Sequence, residues 1–201
     1  MNLLYIAVFI SLFSILTVLL FGCAPSKEMS TESIPAVKSF DLQRYLGTWY
    51  EAARLPHSFE NGLDQVTATY TLRDDGTIGV LNKGFDVSRG EWKEANGKAR
   101  FKDAVPGAIL EVSFFWIFYG DYKVIELDTV NYSYAMVTSN SKKYLWILSR
   151  SSQLDPQIYS ELIRKAGEWG FNTSAIYKVP QREERPSIHR DTTLTGKSHG
   201  Y

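Results

Sequence analysis

Between Phe40 and Val179 the apolar positions mostly recur every second residue, the period of a strand with one buried face. Val66-Thr67-Ala68-Thr69-Tyr70-Thr71-Leu72 puts Val66, Ala68, Tyr70 and Leu72 on one face and three threonines on the other. An Asp75-Gly76 bend follows, so Ile78 to Phe85 is expected to pair antiparallel with that strand. A strand around Trp92 is predicted to lead through an Asn96-Gly97 turn to Ala99-Arg100-Phe101, and further strands are predicted at 108–115, 122–127, 134–137 and 144–149. With Trp49 to Arg54 at the front, the runs suggest eight strands. Strand-turn-strand at 8–12-residue spacing makes an all-β meander, and eight strands is the size at which an antiparallel up-and-down barrel closes around one small ligand.

Two segments follow a helical period instead. Leu42, Tyr45 and Leu46 space one short turn ahead of the first strand. Asp155-Pro156 reads as N-cap and first helical residue, and Ile158, Tyr159, Leu162, Ile163, Ala166 and Trp169 make one apolar stripe that ends at Gly170. A helix over about 155–169, packed outside the barrel, is therefore predicted. Phe171 to Val179 is expected to supply one last short strand centred on Ala175-Ile176-Tyr177, and the polar stretch 181–201 a disordered tail.

Leu3 to Gly22 is an uncharged apolar run that ends in Leu20-Phe21-Gly22-Cys23. About 20 apolar residues can span a bilayer, so an uncleaved membrane anchor is one reading. A small residue directly before the one cysteine of the chain resembles a bacterial lipoprotein signal. That resemblance implies a signal peptide over 1–22, lipid carried on Cys23, and a flexible tether over 23–39; Ala24 after the cysteine resembles sorting to the outer membrane.

Composition narrows the chemistry. Lys+Arg 22 against Asp+Glu 22 gives a formal net charge of +0, which argues against a nucleic-acid partner. The histidines are His57, His189 and His199, the last two in the polar tail. With a single Cys, neither a Cys/His metal site nor a Cys–His nucleophilic pair has much to build on, and no cofactor is expected.

Gly47-Thr48-Trp49-Tyr50-Glu51, Asp128 with Tyr132, and Leu145-Trp146-Ile147-Leu148-Ser149-Arg150 resemble, in order, the three motifs of the lipocalin family. Val66-Thr67-Ala68-Thr69-Tyr70, Asn82-Lys83-Gly84 and Val112-Ser113-Phe114-Phe115 are similar to its bacterial outer-membrane branch; Trp116-Ile117 departs from it, where a smaller Gly-Pro type of turn is expected. The resemblance covers 40–180. It implies an eight-stranded barrel holding a small apolar molecule, in the bacterial branch a fatty acid or lysophospholipid, and it leaves a homodimer open.

On that frame Gly47, Trp49 and Arg150 are expected to close the barrel floor, Arg150 stacking on the indole. Parity then turns Ala68, Tyr70, Val80, Asn82, Leu110, Val112, Phe114, Tyr144 and Trp146 inward as ligand-binding positions, with Tyr119 placed to meet a polar headgroup. Ala68 and Gly84, being small, are expected to leave volume inside. A solid core would use many of the same residues. An envelope interaction protein with a filled barrel is therefore the alternative to a lipid carrier. A lipocalin-type enzyme is a further one, weakened because His57 shows no orienting partner in the sequence.

Overall fold

The computed structural model describes residues 29–103, 107–115 and 118–181. Within them lie α1 (Leu42–Tyr45), β1 (Gly47–Arg54), β2 (Leu63–Leu72), β3 (Ile78–Asp86), β4 (Glu91–Phe101), β5 (Ile109–Phe115), β6 (Phe118–Leu127), β7 (Tyr134–Thr138), β8 (Leu145–Ser149), α2 (Pro156–Glu168) and β9 (Tyr177–Lys178). From β1 to β8 each strand pairs antiparallel with the next, and β1 pairs with both β2 and β8, so these eight form a closed ring.

Residues directly opposite in a ladder share a face, so the registers trace the inner wall. Trp49 lies opposite Ala68, Ala68 opposite Asn82; Tyr70 opposite Val80, Val80 opposite Gly97. Ile78, Ala99, Val112 and Gly120 form a third row, and Phe101, Leu110 and Tyr122 a fourth. Val124, Val137, Trp146 and Arg54 complete the circuit. The outer face of β1, β7 and β8 buries Ala53, Met136, Leu145 and Ile147 against Leu162 and Ala166 of α2. Asp155 caps that helix by accepting from the Gln157 and Ile158 amides, as its sequence pattern predicts.

Several expectations change. Asn96-Gly97 is no turn: β4 runs unbroken through both residues. Gly97 faces inward, and a Cβ there would stand 2.7 Å from the Ser113 carbonyl oxygen and 2.8 Å from the Phe114 ring. Glycine is present for close approach of β4 and β5, not for a bend. Gly97→Ala should therefore lower stability by about 1–3 kcal/mol, because a backbone carbonyl cannot rotate away as a side chain can; urea unfolding of the two proteins measures it. Gly84 likewise leaves no volume, since Leu63 and Val66 side-chain atoms come to 3.2 Å of where its Cβ would be.

The stretch expected as a flexible tether is fixed from Met29 onward. Ser30 bridges Ser141, Lys142 donates its amide to Met29 O, Ile34 is buried, and Val37 donates to Val124 O. At the other end Thr173–Ala175 is a 3₁₀ turn, and the last strand is only Tyr177–Lys178, paired with Ala53 and Arg54 of β1. Gln181, assigned to the tail, is held too: its amide nitrogen donates to Glu51 O and Val66 O, both at 3.0 Å, bridging β1 and β2 where their pairing stops. Cys23, the apolar run before it, Trp116-Ile117 and 182–201 lie outside the described residues.

Candidate functional site

The barrel has a closed end and an open end. At the closed end the Arg150 guanidinium lies 3.8 Å from the Trp49 ring centroid. Its nitrogens donate to Thr48 O at 3.0 Å, Arg44 O at 2.6 Å and Tyr132 O at 3.3 Å, tying β1, α1 and the 128–133 turn together. Gly47 holds φ +92 with its α-carbon facing that guanidinium, a backbone shape that disfavours other residues. Trp49 is fully buried and donates its indole N–H to Tyr45 O at 2.8 Å. The floor assigned to Gly47, Trp49 and Arg150 is thus assembled. Above it the Tyr122 hydroxyl meets those of Tyr45 at 2.6 Å and Tyr70 at 2.9 Å. Burial pushes the Tyr70 phenol up to about 12 and raises Tyr45 and Tyr122, so all three stay neutral.

Over this floor the wall is mostly apolar and unevenly buried. Ala68, Asn82, Val112, Phe114, Tyr122 and Trp146 face into a closed ring and still keep accessible surface, whereas Val80, Leu110, Val124 and Val137 are buried. Partial accessibility of inward residues is what a hollow above the floor would leave. Asn82 adds one polar feature: its side-chain oxygen is buried and has no hydrogen-bond partner.

Tyr119 is the predicted wall residue that departs. Its ring packs 4.3 Å from the Arg100 guanidinium and within 5.9 Å of Lys98 Nζ, on residues whose ladder partners Glu111 and Ser113 belong to the outer face. Gly120 holds the inward position opposite Val112, so Tyr119 turns out, away from any headgroup inside.

Near the open end lies a buried polar network that strand parity did not reveal. Arg54 donates to Glu51 Oε1 at 2.7 Å, Glu60 O at 2.7 Å and Leu63 O at 2.9 Å. Glu60 Oε2 accepts from the Trp146 indole at 3.1 Å and stands 2.8 Å from His57 Nε2. Glu51, Arg54 and Glu60 are all under 8% exposed. His57, Phe59, Tyr144 and Trp146 stack around it, the Tyr144 and Trp146 planes at 12°. A cleft of about 250 Å³ opens beside this cluster at the β1/β2 seam, lined by Arg54, Pro56, His57, Asn61, Gly62, Leu63 and Tyr177.

Burial, with repulsion from Glu60, pushes the Glu51 carboxyl up to about 8 against the pull of Arg54. The folded chain then binds a proton between the ordinary value of 4.5 and about 8 that the unfolded chain has released. That contribution to stability is complete below 4.5, declines as pH rises, and is gone above about 8. Glu51→Gln should remove this slope, on the order of 3 kcal/mol between pH 5 and 9, as denaturant unfolding across that range would show.

The model of the lipocalin-like domain matches residues 40–181, which is the whole of the barrel, its helix and the C-terminal strap. The chain belongs to the lipocalins. Among curated relatives it is 49% identical to the outer membrane lipoprotein Blc of Vibrio cholerae serotype O1, over 83% of this chain and 95% of that one. It is 46% identical to the protein of the same name in Escherichia coli K12, over 79% and 89% of the two chains. The cockroach allergen Per a 4 shares the fold, with a TM-score of 0.61 at 18% identity over 78% of this lipocalin and 97% of the allergen. With such relatives, this lipocalin is a lipoprotein of the outer membrane.

Proposed function

We propose that this lipocalin carries a single-tailed lipid, a fatty acid or lysophospholipid, in its barrel, and that it does so at the periplasmic side of the outer membrane in envelope maintenance. The observation that carries the reading is the accessible inward surface of Ala68, Val112, Phe114 and Trp146 above a sealed floor. An alkyl tail covering about 300 Å² of such surface would gain roughly 7 kcal/mol, less the cost of ordering it. Tyr144, Trp146 and Asn82 offer polar or aromatic contact along the path.

A catalytic role is the weaker reading. His57 Nε2 stands 2.8 Å from the Glu60 carboxylate, three residues on in the sequence, but neither ring nitrogen makes a hydrogen bond of good geometry, and no hydroxyl is aligned on the imidazole among the described residues. Lipid extraction and mass spectrometry of the purified protein test the proposal. About one fatty acid or lysophospholipid per barrel supports it, and a barrel that neither retains nor takes up any lipid refutes it and favours the filled-barrel interaction protein.

A further inference from the structure

The place where the N-terminal segment joins the barrel fixes which end can meet the membrane. Met29 and Ser30 are held by the 139–142 turn, which joins β7 to β8 at the open end: Lys142 donates to Met29 O, Thr31 N to Asn140 O, and the Thr31 hydroxyl to Ser139 O. From there the chain runs down the outside, Lys123 Nζ donating to Thr31 O and Ile34 O, and reaches the floor only at Asp41, whose amide donates to the Tyr132 hydroxyl. Cys23 lies six residues before Met29. Six residues span at most about 21 Å. That limit is the same whether Cys23 carries lipid or the apolar run before it stays in the bilayer.

The barrel is longer than this leash. The ten residues of β6 cover about 33 Å along the strand, or about 25 Å along the barrel axis at the usual tilt, before the floor turns are added. A floor-down orientation would lift Met29 beyond its reach. The open rim also has the surface for the encounter. Phe59 is 62% exposed and Val87 57%, and the Val87 amide donates to Gly62 O, which joins their two loops. Trp92 is 48% exposed one residue below the rim, with Lys83 over its ring. Arg89 and Lys93 are exposed there too but are paired with Asp86 and Glu91, while Lys143 is exposed on the 139–144 loop. The floor exposes Leu72 and Val130, the latter's carbonyl oxygen accepting from Arg44, on two separate turns.

We infer that the open rim, through Phe59, Val87 and Trp92, docks on the phospholipid surface of the leaflet that holds the anchor. The partner is the phospholipid bilayer itself, whose interface takes up the three apolar side chains while Lys143 meets an anionic headgroup. A lipid would then pass between leaflet and barrel without crossing open water. This orientation is independent of what the hollow holds, so it can fail while the carrier reading stands, and the reverse.

The test uses the full lipidated protein in vesicles of phosphatidylethanolamine and phosphatidylglycerol, with a spin label on Val87→Cys or on Val130→Cys. Both positions are exposed and tolerate a label. Collision with an aqueous nickel chelate should be about fivefold lower at 87 than at 130, as for a side chain sunk at the headgroup boundary. Equal collision rates at the two sites, or shielding at 130 in place of 87, would overturn the inference.

Discussion

Arg54→Leu is expected to cost about 3–5 kcal/mol of folding stability near pH 8, the largest single-site effect outside the floor. The guanidinium joins four pieces of chain: Glu51 of β1, the 58–60 turn, the start of β2, and Tyr177 of β9, whose ring lies 5.1 Å from it. Its loss leaves two carbonyls without their donor and Glu51 buried without a cation. The part of the penalty that comes from the carboxylate should shrink as pH falls below about 8, where the folded chain holds Glu51 protonated. Glu51→Leu combined with Arg54→Leu should recover much of the loss, since replacing both members of a buried pair is far less costly than removing one. Chemical unfolding of the two single variants and the double variant at pH 5 and pH 8 measures all of this. A single-variant loss below 1 kcal/mol at pH 8 would show that the network contributes little.

Ala68→Phe is expected to weaken lipid binding by about 50-fold with the barrel intact. Ala68 faces inward between Trp49 and Asn82 and keeps accessible surface. A ring there would occupy space otherwise open to a ligand tail. Three displaced methylenes at about 0.8 kcal/mol each come to about 2.4 kcal/mol, which is the 50-fold. Calorimetric titration of delipidated protein with a lysophospholipid gives the number. Unchanged affinity would mean that the tail does not run past Ala68.

Strand parity made most of the wall legible, because Ala68, Tyr70, Val80, Asn82, Leu110, Val112, Phe114 and Trp146 sit on unbroken two-residue periods. It fails at bulges. Counting from Trp49, alternation would turn Arg54 outward, yet the register of β1 on β8 slips between Glu51 and Ala53 and Arg54 ends opposite Trp146. Tyr119 departs for a different reason: β6 begins at Phe118 and not at Tyr122, and the regular pairs Leu110–Tyr122 and Val112–Gly120 put Gly120 inside and Tyr119 outside. Asn96-Gly97 misleads for another reason: the dipeptide has the chemistry of a tight turn, but the demand on Gly97 is space across the sheet, which no local window reports. His57 and Glu60 stand three residues apart, yet the sequence marked no partner for His57, because nothing local shows that both are folded in over Trp146.

A fatty acid brominated along its chain measures most directly whether a tail enters the ring, because bromine quenches only indoles it can touch. Trp146 lines the inside and Trp92 stands on the outer face, opposite Phe85. Binding inside predicts quenching that Trp146→Phe largely abolishes and Trp92→Phe leaves intact. Quenching that survives the first substitution and disappears with the second would place the lipid on the outer wall and contradict the account.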